Sequence, residues 1–111
     1  MVDVFPTGYA MNLCDGIFRA RYRESRYETR LLEPIRVYRS EIDVAVTGTV
    51  FRKGHSIRSE ISSANFPRFD RNLNTGKVYG KDAEIRDARQ SVYHTRKYPS
   101  HVLLPVIPHY P

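Results

Sequence analysis

The feature that most constrains the fold is the alternation of apolar and polar residues in short runs, without any sustained helical period. In residues 42–46 every second side chain is apolar. In residues 55–63, Ile57 and Ile61 share one face and charged residues lie on the other. A two-residue period of this kind is typical of half-buried antiparallel strands. The chain is therefore predicted to consist mainly of β-strands.

Short segments rich in β-branched and aromatic residues predict further strands. They are residues 2–5, 17–22, 35–39, 89–94 and 101–104. Turn signals separate them, including Pro6-Thr7-Gly8, which we expect to close a first hairpin, and Asp15-Gly16. Residues 81–89 are predicted to be irregular, and the prolines after Leu104 exclude a central strand there. About six or seven short strands, each with one apolar face, predict an all-β sandwich of two antiparallel sheets.

Length and charge narrow the classes of function. With 111 residues the chain has the size of one domain, and 18 basic against 12 acidic residues give a net charge of +6. Arginine and tyrosine together could serve nucleic-acid binding, or the arginines could pair with carboxylates at folded interfaces. Because basic and acidic residues alternate rather than cluster, we expect a solvated surface and no nucleic-acid partner.

Signatures of catalysis and of metal binding are missing from the sequence. No serine has a glycine two positions before it and two after it, as the nucleophile of an α/β-hydrolase has. The four histidines lack metal-ligand spacing, so we interpret them as surface or strand-end residues, although a His–Asp pair could form in space. The acidic residues Asp82, Glu84 and Asp87 lie among lysine and arginine and do not resemble a catalytic pair. We predict neither a metal nor a cofactor.

The sequence shows no targeting or membrane signal. No run approaches the roughly 18 apolar residues of a membrane helix, and the first residues lack the basic-then-apolar order of a signal peptide. Cys14 is the single cysteine and allows no intrachain disulfide, which favours a reducing compartment. We expect a cytoplasmic chain without a membrane partner.

The most distinctive segment is the loop of residues 62–72, at the end of the strand predicted for residues 55–63. An asparagine can close the strand end, two phenylalanines can bury their rings beneath the loop, and an arginine can pair with the aspartate. This composition is typical of an interface. The loop is either a structural corner that holds two sheets together or a surface that docks onto another domain or contacts carbohydrate. The candidate residues are Asn65, Phe66, Arg68, Phe69, Asp70 and Arg71.

Motifs along nearly the whole chain resemble one family. In order, they are Val2-Asp3-Val4-Phe5-Pro6-x-Gly8, Asn12-Leu13-Cys14-Asp15-Gly16-Ile17, Arg19-Ala20-Arg21-Tyr22-Arg23-Glu24-Ser25, Val50-Phe51-Arg52-x-Gly54-His55-x-Ile57-Arg58, Ser62-Ser63-x-Asn65-Phe66-Pro67-Arg68-Phe69-Asp70-Arg71-Asn72, Ala88-Arg89-Gln90-x-Val92-Tyr93-His94 and Pro99-Ser100-His101-Val102-Leu103-Leu104-Pro105-Val106-Ile107-Pro108. In these residues the chain is similar to the C-terminal domain of X-prolyl dipeptidyl peptidases and cocaine-esterase-like hydrolases.

The resemblance implies a galactose-binding-like jelly roll that follows an α/β-hydrolase domain. In such enzymes the hydrolase domain holds a Ser-Asp-His triad for peptidase, esterase or acylase chemistry, and none of that triad lies in the motifs found here. Family members also have jelly-roll strands before the point that corresponds to Met1, so residues 1–111 resemble the later part of the domain. Ser59 departs from the apolar residue common at this inward position, and a buried hydroxyl there would need a partner.

The leading hypothesis is a non-catalytic module that packs on and stabilises a hydrolase domain, in the same or a separate chain. The alternative is a β-sandwich module that binds carbohydrate or another ligand, and whether the chain has any enzymatic activity of its own stays open. A jelly roll without its first strands is expected to have a free sheet edge and an exposed apolar face. We therefore predict either self-association or pairing with a chain that carries the missing strands.

Overall fold

The computed structural model describes residues 1–78 and 80–108, in which the regular elements are short and nearly all extended. Strand β1 is Val2–Val4, β2 is Ala10–Asn12 and β3 is Ser56–Arg58, with one 3-10 turn at Ala20–Tyr22. The strands form an antiparallel sheet in the order β2-β1-β3. The predicted antiparallel all-β class is confirmed, and the described residues contain no helix long enough to cross a membrane.

The β1–β2 hairpin closes around the turn that the sequence predicts. The amide of Phe5 donates to the carbonyl of Tyr9 at 2.8 Å, and the amide of Gly8 donates to the carbonyl of Phe5 at 2.9 Å. Gly8 adopts a φ of 87°, a left-handed conformation that glycine reaches without strain. A three-residue loop with glycine at this position is a common hairpin closure, and Pro6 suits its first turn position because its φ is fixed.

The buried residues of the sheet lie on β1, its central strand. The register pairs Asp3 with Met11 of β2 on one side and with Ile57 of β3 on the other. Val2 is only 6% exposed and Asp3 only 2%. A strand with a neighbour on each side shields its side chains better than an edge strand does, and β3 is exposed along its whole length.

Five predicted strands do not form in the part of the chain that the structure describes. Residues 17–22 contain the 3-10 turn instead, residues 42–46 include Ala45 at a left-handed φ of 63°, and residues 89–94 make one isolated bridge, between His94 and Pro99. Residues 35–39 and 101–104 form no strand either. Alternation supplies an apolar face, but a strand also needs a neighbouring backbone for its hydrogen bonds. Since these segments find no such neighbour here, the second sheet and the jelly roll stay predictions.

Strand β3 is also shorter than the sequence predicts. It occupies Ser56–Arg58 within the expected residues 55–63. Ser59 is exposed, so its hydroxyl requires no buried partner. Residues 81–89 are irregular, as predicted.

The chain is more open than a compact domain of its length. Its radius of gyration is 17.2 Å, whereas a compact domain of this length has a radius of about 13 Å. Its exposed area is 10474 Å², compared with roughly 6,300 Å² for a folded monomer of this mass. Large apolar side chains such as Ile35, Val46 and Ile107 are almost fully exposed. Such a surface is typical of a chain that packs against a partner.

Candidate functional site

The loop of residues 62–72 is held by short-range hydrogen bonds. The amide of Phe69 donates to the carbonyl of Asn65 at 3.0 Å. The hydroxyl of Ser62 both donates to the carbonyl of Ala64 and accepts from its amide, at 3.0 and 3.2 Å. The Phe66–Pro67 peptide is cis. The hydrogen bonds give the loop a defined conformation, although it begins several residues after β3 ends rather than directly at the strand.

The two phenylalanines of this loop have different surroundings. Phe69 is half-buried, and the guanidinium of Arg68 lies 5.5 Å from its ring centroid. Phe66 is 73% exposed. The expectation that both rings lie beneath the loop is met in part by Phe69 and not by Phe66. An exposed aromatic ring on a loop of defined conformation is a candidate contact for another molecule.

Arg68 pairs across the fold rather than within its loop. Its guanidinium Nη1 donates to Oδ2 of Asp15, in the turn that follows β2. Among the described residues neither Asp70 nor Arg71 forms an ion pair, and both are exposed. The structure thus brings together Asn65, Arg68 and Phe69 in one turn tied to Asp15. The Arg–Asp pair expected inside the loop is replaced by a contact 53 positions away along the chain.

A buried Asp–His pair lies at the centre of the sheet; the sequence left such a pair open but did not indicate which residues form it. His55 Nδ1 lies 2.9 Å from Asp3 Oδ1 and 3.0 Å from Asp3 Oδ2. The His55 ring also packs on Phe5, with centroids 4.3 Å apart. His55 lies at a strand end, directly before β3, as the sequence interpretation allowed, but its side chain is largely buried rather than on the surface. The available signal was a carboxylate in the middle of an apolar strand, because a buried charge requires a partner.

The Asp3–His55 pair connects two elements of the sheet and lacks a nucleophile. Asp3 lies on β1, and His55 directly precedes β3 in a turn closed by a 3.0 Å bond from its amide to the carbonyl of Arg52. A hydrolase would need a serine, threonine or cysteine next to the imidazole. No such side chain bonds His55 in the described part of the chain. The pair therefore acts as a clasp between β1 and the start of β3.

A second charged cluster holds residues 77–86 together. Lys77 Nζ donates to Glu84 at 2.8 Å and to Asp82 at 3.4 Å, and Arg86 donates to Glu84 at 2.8 Å. The hydrogen bond from Lys77, followed by that from Arg86, lowers the pKa of Glu84, while the bond to Glu84 raises the pKa of Lys77. A carboxyl that acts as general acid needs a raised pKa. The lowered pKa of Glu84 does not suit that role, and the contacts form a network of ion pairs within residues 77–86.

Asp82 is the most enclosed member of this cluster. Its pKa is lowered, chiefly by the nearby Thr75 hydroxyl and then by the amide of Glu84. Its Oδ2 atom is nevertheless buried with no hydrogen-bond donor in bonding geometry among the described residues. A cavity of about 20 Å³ lined by Asp82, Thr75 and Asn74 adjoins it, which is enough for one water molecule. The described residues contain no group of three or more acidic, histidine or cysteine side chains that could hold a metal ion.

Comparisons with known proteins place these features in context. The sequence profile described as the X-Pro dipeptidyl-peptidase C-terminal non-catalytic domain matches residues 1–103. A cocaine esterase from Rhodococcus sp. (strain MB1 Bresler) is 44% identical over 109 residues, which cover 96% of this chain and 19% of that enzyme. The chain thus spans about a fifth of the length of this curated relative. No solved structure gives a significant match.

Proposed function

The chain belongs to the family of X-Pro dipeptidyl-peptidase C-terminal non-catalytic domains, and from this premise we propose that it serves a serine hydrolase as a structural module. In this role it packs on and stabilises an α/β-hydrolase domain, in the same or a separate chain. The observation that carries the proposal is the match over residues 1–103, together with 44% identity to an esterase five times as long. The hydrolase would be of the X-Pro dipeptidyl-peptidase or esterase type.

The open surface of the chain supports a packing role. About 4,000 Å² more surface is exposed than a folded monomer of this mass presents. An obligate interface buries roughly 2,000–5,000 Å² counted over both partners, so the excess on this one chain is ample for such an interface. The exposed residues include Phe66 and a series of large aliphatic side chains, Leu31, Val50, Val78, Leu103 and Val106 among them. Aromatic and aliphatic residues of this kind form the centre of stable interfaces.

The internal chemistry of the chain also supports a non-catalytic role. Its buried Asp–His pair holds strands together, and its acidic cluster has lowered rather than raised pKa values. Neither arrangement supplies a nucleophile or a general acid. Substrate chemistry is therefore assigned to the partner domain.

The test is a chimera in which this chain replaces the matched 109 residues of the Rhodococcus cocaine esterase. We expect the chimera to hydrolyse cocaine and to resist heat better than the esterase lacking those residues. Phe66→Ser is expected to shorten the half-life of the chimera at raised temperature, while Tyr27→Ser, at a ring that is even more exposed in this chain, does not. Hydrolysis of an X-Pro nitroanilide or aryl ester by the isolated chain, lost on a Ser→Ala change, would contradict the proposal.

The second candidate function is carbohydrate binding, which the exposed ring of Phe66, two positions before Arg68 in the same loop, favours. Aromatic faces and arginine are suited to contact a sugar, but a fold alone is a weak argument for function. Calorimetry of the 111-residue chain against a panel of glycans decides the question. Heat of binding that Phe66→Ser abolishes supports this function, and no heat with any glycan removes it.

A further inference from the structure

We propose that the outer edge of β3 is the site at which a β-strand from the remainder of the hydrolase joins this sheet. The inference rests on the proposed function, which it makes specific by naming the edge and the backbone groups that bind. The edge is identified by the backbone N–H and C=O groups of the sheet that have no hydrogen-bond partner in a neighbouring strand of the described residues.

The hairpin bonds fix the direction of every backbone group on β1. The amide of Phe5 donates to the carbonyl of Tyr9, and the carbonyl of Met1 accepts from the amide of Leu13 at 3.0 Å. The bonded backbone groups of Phe5 and Met1 therefore both face β2. In an antiparallel ladder alternate residues bond to the same neighbour. Asp3 therefore also points its N–H and C=O at β2. The backbone groups of Val2 and Val4 point the other way, at β3.

The same alternation fixes the direction of the backbone groups on β3. Val2 pairs with Arg58 and Val4 pairs with Ser56, so these two residues of β3 face β1. Ile57, which lies between them, points its N–H and C=O away from the sheet. Neither group has a backbone partner among the described residues. Unpaired backbone groups along a strand edge are a ready template for another strand.

The side chains of this edge favour an added strand. Ile57 is 53% exposed and Ile61 is 61% exposed, and the two-residue period places them on the same face. No proline or glycine interrupts residues 56–63, so β3 can lengthen through Ile61 when a partner pairs with it. The ion pair of Arg58 and Glu60, at 2.7 Å, lies on the opposite face and leaves the apolar face clear.

The other free edge of the sheet is less suitable. On β2 the outward backbone groups belong to Ala10 and Asn12, which offer no large apolar side chain. The chain then turns away, and the carbonyl of Cys14 is taken by the amino group of Met1 at 2.6 Å. The β2 edge therefore cannot lengthen as β3 can.

The remainder of the hydrolase is the occupant that best accounts for the exposed surface. One copy of β3 paired with another would cover only a few residues, whereas the excess exposed area is about 4,000 Å². The curated relative has four-fifths of its length outside the matched segment, which is ample to supply both a strand and a covering surface. The expected strand alternates, with apolar side chains placed against Ile57 and Ile61.

Amide hydrogen exchange, resolved to single residues, tests the proposal. It compares the 111-residue chain with the chimera in which this chain replaces the matched segment of the Rhodococcus esterase. The Ile57 amide is expected to exchange at least about 100-fold more slowly in the chimera, because it gains a strand partner. The Arg58 amide faces β1 in both proteins and serves as the internal control. Ile61→Lys should restore fast exchange at Ile57, whereas Ser56→Lys, on the opposite face, should not.

The outcomes separate this proposal from the proposed function. If the chimera hydrolyses cocaine but its Ile57 amide exchanges as fast as in the isolated chain, the edge is not the docking site, although the proposed function stands. A chimera without hydrolysis and without slowed exchange at any residue would contradict the proposed function itself. If amide exchange at Ile57 in the isolated chain becomes slower as the protein concentration rises, a second copy of the chain pairs with this edge. That result would overturn the proposal.

Discussion

His55 Nδ1 lies within 3.0 Å of both carboxylate oxygens of Asp3, so a single ring nitrogen ties the central strand to the turn before β3. Both side chains are nine-tenths or more buried. A buried carboxylate that loses its donor, or a buried imidazole that loses its acceptor, costs more than the bond itself contributes. The attachment of β3 to the hairpin therefore depends on this contact.

The first prediction concerns the removal of this clasp. Asp3→Ala is expected to lower the free energy of unfolding by about 2 kcal/mol, because His55 Nδ1 is left buried without an acceptor. Asp70→Ala is the matched control, since Asp70 is exposed and forms no ion pair among the described residues; it should stay within about 0.5 kcal/mol of the natural chain. Urea unfolding of the three proteins measures both effects. Equal stabilities for the two variants would show that the clasp is not stabilising.

The second prediction concerns pH and the cluster around Lys77. The pKa of Glu84 is lowered from 4.5. The ionised Glu84 carboxylate therefore contributes stability at pH values above 4.5, and this contribution is lost as the pH falls through the lowered pKa. The pKa of Lys77 is raised from 10.5. The charged Lys77 ammonium therefore contributes stability at pH values below 10.5, and this contribution is lost as the pH rises through the raised pKa. We expect this cluster to be most stabilising between these two pH limits.

Nuclear magnetic resonance titration of the Glu84 carboxyl tests the cause of the shift. In Lys77→Met the pKa of Glu84 should rise towards 4.5, because its main hydrogen-bond donor is lost. In Lys81→Met it should not move, since Lys81 forms no ion pair in the described residues. An unchanged titration in Lys77→Met would show that Lys77 does not hold this carboxylate.

The third prediction concerns the ion pair between Arg68 and Asp15. Both groups are partly exposed, so their coupling free energy in a double-mutant cycle should be at most about 1 kcal/mol. It should decrease when salt is raised, because exposed charges are screened. Arg71→Ala replaces Arg68→Ala in the control cycle and should show no coupling with Asp15. A coupling that is large and insensitive to salt would mean that the pair is shielded from solvent.

The fourth prediction concerns the close backbone approach at Gly16. A Cβ placed on Gly16 would overlap the carbonyl oxygen of Asp43 and lie 3.1 Å from the Cα of Val44. Gly16→Ala should therefore separate these segments and lower the free energy of unfolding by about 1–3 kcal/mol. Gly48→Ala, where a Cβ meets open space, should be neutral or slightly stabilising. Thermal unfolding compares them, and a stable Gly16→Ala chain would show that the approach is not required.

Features that depend on neighbouring residues could be predicted from the sequence. The turn at Pro6-Thr7-Gly8 follows from a fixed φ, a residue free to take a positive φ and contacts four positions apart. The placement of β3 follows from the alternation around Ile57. The family followed from motifs along the whole chain, and the profile match over residues 1–103 confirms it.

Features that depend on distant residues could not be predicted in this way. Asp3 and His55 are 52 positions apart, and Arg68 and Asp15 are 53 positions apart. Propensity and periodicity describe a segment by itself and do not say which other segment lies beside it. The alternation in residues 42–46 is real, yet it gives no strand, because a pleated backbone needs a second backbone to bond with.

The order of strands in the sheet also separates an early step of folding from a late one. The β1–β2 hairpin closes over three residues, and hairpins of this kind form in about 1–10 microseconds. Strand β3 reaches β1 only after an intervening segment of 43 residues, whose closure costs about 3 kcal/mol of chain entropy. Contacts of such high sequence separation slow folding. Two strands that lie side by side in the finished sheet thus belong to different stages of its assembly.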